Sequence, residues 1–292
     1  MHHSHPQKLE AALYVVATPI GNLRDITLRA LDVLGTADVI AAEDTRNTAH
    51  LLTHHGISAN RLLAVHQHNE RGAAEKIIGL LQSGQSIAFV SDAGTPAVSD
   101  PGALLVQAVR EAGLRVIPVP GASAAVAALS ASGLAQAQFT FHGFLPNKSA
   151  ARRSVLEALR ERAEILVFYE APHRIIECVA DLHTVFGDDR EIVLAREITK
   201  LFESIHRCPL GDASAWLNSD PNNQRGEFVL LVSGALPQAG GLDNETGRTL
   251  ELLLKELPLK QAVQLAVQIT GANRNELYQR ALALKNQSDP SE

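Results

Sequence analysis

The chain has 292 residues, 46% of them hydrophobic, which is enough for roughly two domains with apolar cores and excludes a largely disordered protein. Its formal net charge of −6 disfavours a protein that coats nucleic acid through a broad basic face. No apolar stretch approaches the roughly 20 residues that span a bilayer and the N-terminus lacks the order of a signal peptide, so we expect a cytoplasmic protein with no membrane partner.

Short apolar runs alternate with helical segments through the first 121 residues. Strands are predicted at 12–17, 39–42, 62–65, 87–90 and 116–119. Helices are predicted near 28–34, 45–54, 70–83 and 101–112. This alternation predicts an N-terminal α/β domain at 11–121 with a parallel-dominated sheet, preceded by a disordered tail at 1–10.

A second series of elements begins with a helix over 124–130 that ends at Gly133. Strands are predicted at 139–142, 165–169, 191–195, 203–207 and 228–232, and helices at 150–162, 173–186 and 211–217. We interpret 122–235 as a second, mixed α/β domain.

The C-terminal part of the chain contains only helical patterns. Residues 236–247 are rich in glycine and proline and predict a linker to a helical domain at 248–292. Helices are predicted at 250–257, 259–269 and 275–284, and the turn at 270–273 is typical of a helix-turn-helix.

The most informative segment is 91–102, a loop of small residues between a predicted strand and a predicted helix. Ligands bind at the carboxyl ends of strands in open α/β sheets, and small residues let them approach the backbone. Free N–H groups at the helix start suit an anion, whereas Asp92 and Asp100 suit hydroxyls, an amine or a cation. A tight turn with two capping carboxylates explains the segment equally well.

Other patterns bear on the chemistry. Charged clusters follow predicted strands at 17–25, 42–46, 168–174 and 195–203, and there is no GxGxxG, GxSxG or P-loop motif. The twelve histidines show no metal-ligand spacing: three lie in the N-terminal tail, and His50, His54 and His55 have no partnering cysteine or HExxH motif. We therefore expect no metal.

Cys178 and Cys208 are too few for a disulfide framework and are expected to be reduced.

Seven motifs together resemble the ribosomal RNA small subunit methyltransferase I family of the tetrapyrrole methylase superfamily. In chain order they are TPIGNL (18–23), AEDTR (42–46), SDAGTP (91–96), PVPG (118–121), GFLP (143–146), YEAPHR (169–174) and AREITK (195–200). The resemblance runs from Leu13 to about Val232, and the helical tail fits it. It implies two α/β domains of the tetrapyrrole methylase type with a cofactor cleft between them, plus a small C-terminal helical region.

The resemblance also implies an activity: S-adenosylmethionine-dependent methylation of a cytidine 2′-hydroxyl in the decoding region of 16S rRNA, in the small ribosomal subunit, by a homodimer. We expect the cofactor to be bound by Pro19, Asp92, Ala93, Gly94, Thr95, Pro120, Ser123, Tyr169 and Glu170. The candidate bases, left unranked, are Asp25, Asp100 and Glu170. Superfamily members often have Gly-Asp where this chain has Ser91 and Asp92, which changes the backbone approach there.

Cations are the expected contacts of RNA phosphates, because guanidinium groups match phosphate oxygens. The candidates are Arg24, Arg46, Lys148, Arg152, Arg153 and Arg174. Arg152 and Arg153 fall in the first turns of a predicted helix, where they oppose the helix dipole, and this favours a functional role.

Two alternatives remain open: a methylase of a tetrapyrrole-like small molecule, and a non-enzymatic RNA-binding protein with the same fold. The basic run at 148–162 and the helical tail favour RNA over a carboxylated tetrapyrrole.

Overall fold

The computed structural model describes residues 8–66, 69–235 and 244–288. Residues 1–7 of the predicted tail (1–10) and residues 236–243 of the predicted linker (236–247) lie outside the described residues. Residues 244–247, predicted as linker, form the first turn of a helix. Within the described residues, no helix has the length and hydropathy needed to cross a membrane.

The first sheet is fully parallel and is built as the alternation predicts. Its strands are β1 (Leu13–Val16), β2 (Val39–Ala42), β3 (Leu62–Ala64), β4 (Ile87–Val90) and β5 (Val116–Val119). They lie in the order β3-β2-β4-β1-β5. The intervening helices are α1 (Leu28–Thr36), α2 (Thr45–His54), α3 (Glu70–Gln82) and α4 (Ala103–Glu111). Both faces of the sheet carry a buried apolar cluster, which is why β2 and β4 are continuous apolar runs without polar alternation.

The second sheet is mixed, as predicted. Its strands are β6 (Phe139–Phe144), β7 (Ile165–Glu170), β8 (Glu191–Arg196), β9 (Ser204–Pro209) and β10 (Phe228–Val232), in the order β6-β7-β10-β8-β9. β6 and β7 are parallel, and the other pairs are antiparallel. The helices of this half are α5 (Ala124–Ser132), α6 (Ser149–Leu159), α7 (Ile175–Phe186) and α8 (Leu210–Ser219). α5 covers one face, and α6, α7 and α8 cover the other.

Three helices form the C-terminal region. They are α9 (Asn244–Glu256), α10 (Leu259–Thr270) and α11 (Arg274–Ser288). α10 ends at Gly271, whose φ of +70° reverses the chain into α11, and the three helices share a small apolar core. α9 begins six residues before the predicted start at 250, because its amphipathic pattern includes polar residues that were assigned to the linker.

The two predicted thiols are free. Cys178 is fully buried in α7 and Cys208 is half-buried in β9, and burial raises the pKa of both thiols, that of Cys208 to about 11. Neither thiol is therefore a reactive thiolate at neutral pH.

Candidate active site

The site lies at the carboxyl ends of β1 and β4, the neighbouring strands from which the chain leaves in opposite directions. Such a switch point opens a crevice in a doubly wound sheet. The two loops that follow these strands are joined by a pair of hydrogen bonds: Thr18 N donates to Gly94 O at 2.9 Å and Gly94 N donates to Thr18 O at 3.1 Å. The predicted ligand loop is therefore anchored directly over the crevice.

A first cavity of about 310 Å³ opens between the two sheets. Its wall is mainly apolar and combines the 93–100 loop with the start of α5, the end of β7 and the start of β10. The predicted site residues in this wall are Ala93, Gly94, Thr95, Asp100, Ser123, Tyr169 and Glu170. Sequence reasoning did not assign a role to the wall residues Ile20, Val98, Ser99, Phe144, Ile198 and Glu227. Ile20, Phe144 and Ile198 lie within the motifs, but an apolar side chain has no chemistry that marks it as a ligand contact.

Glycine is required in the floor of this cavity. Gly94 has a φ of +75°, and a Cβ there would lie 3.4 Å from Ile20 Cγ2 and 3.7 Å from the Ala122 carbonyl oxygen. The Thr95 hydroxyl donates to the same Ala122 carbonyl at 3.1 Å. The loop is thus closed against the chain that enters α5, and it presents backbone atoms to the cavity.

Tyr169 joins the second sheet to the start of α5. Its hydroxyl oxygen accepts a hydrogen bond from Ala125 N at 3.2 Å, and its ring makes edge contacts with Phe141 and Phe144. Burial raises the pKa of Tyr169, so the hydroxyl stays protonated at neutral pH. Tyr169 and Gly94 both line the first cavity, so these ring contacts fix part of its wall.

Two carboxyl groups near the cavity have raised pKa values. Burial is the main cause for Asp100, opposed by a hydrogen bond from the Ser91 hydroxyl and aided by the charge of Asp92. Burial also raises the pKa of Glu43, which faces Asp100, Asp92 and Asp44. Of the two, Asp100 lines the first cavity.

A second cavity of about 600 Å³ adjoins the first. The 18–23 loop, α2 and residues 91–93 bound it, and it shares Ile20, Ala93, Lys200 and Glu227 with the first cavity. Pro19 and Asp92, both predicted to bind the cofactor, line this second space instead. Asp92 accepts hydrogen bonds from Asp44 N at 3.2 Å and Asn47 Nδ2 at 3.1 Å, so its carboxylate is bound to the start of α2. Pro120 lines neither cavity.

The segment 197–203, which we call the strap, connects β8 to β9 and crosses to the first domain. Glu197 and Thr199 have φ values of +50° and +68°, which non-glycine residues rarely adopt and which cost on the order of 1–3 kcal/mol each. Asn22 N donates to Thr199 Oγ1 at 3.1 Å, so the strap is tied to the β1 loop.

The loop before α4 does not offer its N–H groups to an anion, contrary to the expectation. Glu70, buried at the start of α3, accepts from Gly102 N and Leu105 N at 3.0 Å each. A carboxylate from the protein therefore occupies the position where an anionic ligand group was expected.

The prediction that Arg152 faces RNA is wrong. Its side chain has no exposed surface and forms an ion pair with buried Asp181, with Nε 2.7 Å from Oδ2. Its Nη1 also donates to the Pro146 and Asn147 carbonyls. The unfavourable position near the helix start is explained by this buried network.

Two further predicted site residues, Arg174 and Glu170, belong to the same region. The Arg174 side chain is mostly buried, lies 3.1 Å from Glu170 through Nε and Oε1, and donates to the Leu145 carbonyl at 2.6 Å. Side chains alternate along β7: Tyr169 faces α5 and the cavity, whereas Glu170 faces the helical layer that contains Cys178. The Glu170 carboxylate is thus paired inside the second domain.

The remaining predicted cations are solvent-exposed or half-exposed. Arg24 and Lys148 are exposed, and Arg46, 87% exposed, pairs with Asp44, lowering the pKa of that carboxyl to about 2. Arg153 is half-exposed and lies 2.5 Å from Asp181. Asp25 is exposed and lines neither cavity. Among the described residues, no group of three or more histidine, cysteine or acidic side chains is placed to hold a metal ion.

Fold and crevice together define a two-domain α/β enzyme of the methylase type. The profile of the Tetrapyrrole (Corrin/Porphyrin) Methylases matches residues 12–214, and that of the RsmI C-terminal HTH domain matches 240–285. Ribosomal RNA small subunit methyltransferase I of Escherichia coli O157:H7 is 51% identical over 280 residues, covering 96% of this chain and 98% of that protein. The enzyme of the same name from Pseudomonas aeruginosa is 51% identical over 278 residues, covering 94% and 98%.

Solved structures of the superfamily share the fold. The uroporphyrin-III C-methyl transferase of Thermus thermophilus, complexed with S-adenyl homocysteine, has a TM-score of 0.54 at 16% identity and covers 76% of this chain and 97% of its own. The chain belongs to the ribosomal RNA small subunit methyltransferase I family. It is a methyltransferase, and the methyl donor that the family motifs imply is S-adenosylmethionine.

The first cavity fits this donor. Its mainly apolar wall suits an adenosyl group, and Ser123 and Asp100 add polar residues to that wall. Gly94, which also lines it, has a φ of +75° that strains any residue with a side chain. Gly94, Thr95, Ser123 and Tyr169 are the residues that would hold it. Bound there, the donor supplies a methyl group already activated on a sulfonium.

Proposed function

We propose that this protein transfers a methyl group from S-adenosylmethionine to the 2′-hydroxyl of a cytidine in the decoding region of 16S rRNA, within the small ribosomal subunit. The relatives at about half identity are named for methylation of small-subunit RNA. The observation that carries the proposal is the pair of adjoining cavities, since a donor and a bulky acceptor need separate spaces that meet at one point.

Positioning accounts for most of the proposed catalysis. A ribose hydroxyl is a very weak acid, so an acceptor held in line with the methyl group gains most of its rate from orientation. The rigid wall formed by Tyr169 and the anchored 93–95 loop serves this purpose. Removal of the hydroxyl proton is a secondary contribution.

Asp100 is the base that the geometry favours. It lines the first cavity, and burial raises its pKa, which makes its carboxylate a stronger proton acceptor than an ordinary one. Asp25 lies outside both cavities. Glu170 also borders the first cavity, but its buried carboxylate is paired with Arg174 at 3.1 Å. We therefore propose Asp100 alone of the three candidates.

Exposed cations around the second cavity are the proposed RNA contacts. Arg24 follows the loop that bounds this cavity, and Arg46 lies at the start of α2. Lys148 and Arg153, at the start of α6 in the second domain, are proposed as further phosphate contacts. The helix-turn-helix region adds a further recognition element.

The proposal includes a cytoplasmic homodimer. Leu201 and Phe202, at the tip of the strap, are 89% and 67% exposed, and a second copy would cover such adjacent apolar side chains. Light scattering measures the mass directly.

The test is transfer from labelled S-adenosylmethionine to 30S subunits from cells that lack the endogenous activity, with the mark mapped by nuclease digestion and mass spectrometry. A single 2′-O-methylcytidine in the decoding region is the expected result. Donor binding without transfer to subunits or naked RNA would refute the proposal and favour a small-molecule acceptor. Absence of donor binding by the folded protein would favour a non-enzymatic role.

A further inference from the structure

Lys200 occupies the boundary between the two cavities. It lines both, and it is the only lysine or arginine among the described residues that line either of them. The predicted RNA-binding cations all lie elsewhere. Lys200 is therefore placed to bind a ligand that extends from one cavity into the other.

The strap is built to bring Lys200 to this point. A Cβ on Gly21 would lie 2.5 Å from Lys200 Cγ and 3.1 Å from Cε, so the strap packs directly on the bare backbone of the β1 loop. Gly226, with a φ of +86°, gives Glu197 the same close approach, since a Cβ there would lie 2.3 Å from Glu197 Cγ. Two glycines and two strained residues thus set the position of one lysine.

The ammonium group of Lys200 has protein acceptors for two of its three N–H donors. Nζ donates to Glu197 Oε1 and to Glu227 Oε2, each at 2.8 Å, and an ammonium has three N–H donors. Burial lowers the pKa of Lys200, but the hydrogen bonds to both carboxylates outweigh burial and raise it above its ordinary value. Lys200 is therefore a permanent donor and not a base.

The two ion pairs of Lys200 contribute differently to stability. The Glu197 side chain is 18% exposed, whereas the Glu227 side chain is 79% exposed, and ion pairs with exposed partners contribute little to folding. Strained backbone such as that of Glu197 and Thr199 clusters at functional sites.

We infer that Lys200 binds the substrate: its third N–H donates to a ribose or phosphate oxygen of the acceptor nucleotide in the second cavity and orients that nucleotide toward the first. This inference deepens the proposed function and rests on it. Glu197 and Glu227 act as positioning residues that aim the ammonium group.

The test compares Lys200→Met, which keeps the length of the side chain and removes its charge, with Lys200→Arg and with Lys76→Met on the exposed face of α3 as the matched control. We expect Lys200→Met to keep its donor affinity within about twofold and to lose roughly 10- to 150-fold in kcat/KM for 30S subunits, the range for a lost charged hydrogen bond. Lys200→Arg should recover part of this loss, and Lys76→Met should match the parent.

Two results would overturn the inference: parental kcat/KM in Lys200→Met, or a loss that donor affinity explains entirely. If the parent binds the donor but methylates no RNA, the proposed function fails separately. The parent and Lys200→Met are then compared for binding of a cytidine-containing oligoribonucleotide in the presence of S-adenosylhomocysteine. Equal affinities would also reject Lys200 as a substrate contact, and weaker binding by the variant would support it.

Discussion

Arg152 and Arg153 offer a matched pair, because both contact the carboxylate of Asp181 from adjacent positions of α6. Arg152 is fully buried, whereas the Arg153 side chain is 49% exposed. Arg152→Met would leave Asp181, only 3% exposed, without its buried partner, and would also free the carbonyls of Pro146 and Asn147. Breaking a buried pair in this way costs about 3–5 kcal/mol.

Arg153→Met removes a contact with the same carboxylate from the solvent side. Because Asp181 keeps its hydrogen bonds from Arg152 and Ser149, and Arg153 is half-exposed, this loss should be about 1 kcal/mol. The two variants should therefore differ by roughly 2–4 kcal/mol in free energy of unfolding. Urea titration followed by circular dichroism measures this difference from the midpoint and the slope. Equal losses in the two variants, or a larger loss in Arg153→Met, would refute the assignment of Arg152 to the buried network.

Three other variants probe the site. Gly94→Val should abolish donor binding while the circular dichroism spectrum stays unchanged. The reason is that valine is strained at a φ of +75° and its side chain would contact Ile20. Unchanged donor affinity in calorimetry would contradict the placement of the donor. Asp100→Asn should lower kcat about 10²–10⁴-fold. Because the pKa of Asp100 is raised, the activity of the parent protein should fall as the pH drops through a value above the ordinary range of aspartate. Asp100→Asn should not show this fall at acidic pH. If its pH profile matches that of the parent, Asp100 is not the base. Combined replacement of Arg24, Arg46 and Lys148 by alanine should weaken RNA binding while donor affinity stays constant. The slope of log affinity against log salt concentration should fall by up to about one unit per lost phosphate contact. An unchanged slope would exclude these residues from the RNA interface.

The buried Asp181 also links stability to pH. Burial raises the pKa of this carboxyl, but hydrogen bonds from Arg153, Ser149 and Arg152 outweigh burial and hold it below the ordinary value. A carboxyl with a lowered folded-state pKa contributes stability above its unfolded-state pKa and loses it as the pH falls through the folded-state value. This contribution is therefore fully present at neutral pH and is lost below about pH 4.

The sequence by itself determined the order of elements, the two kinds of sheet and the family. Apolar runs such as β4 and helical periods such as that of α4 are local signals, since each depends on the residues of one element. The seven motifs specify the family because loops that shape a ligand site need particular small and charged residues in order. The loop at 91–96 was located this way, and it forms part of the first cavity.

The direction of a side chain at a strand end or helix start was decided only by the tertiary structure. Arg152 follows the GFLP motif and Lys200 ends the AREITK motif, yet Arg152 is enclosed between α6 and α7 and Lys200 lies between two cavities. Glu70 reaches the start of α4 from a different helix. Burial, ion pairing and pKa depend on neighbours that are far apart in the chain, so their effects come into being only when the two sheets and their helices pack together.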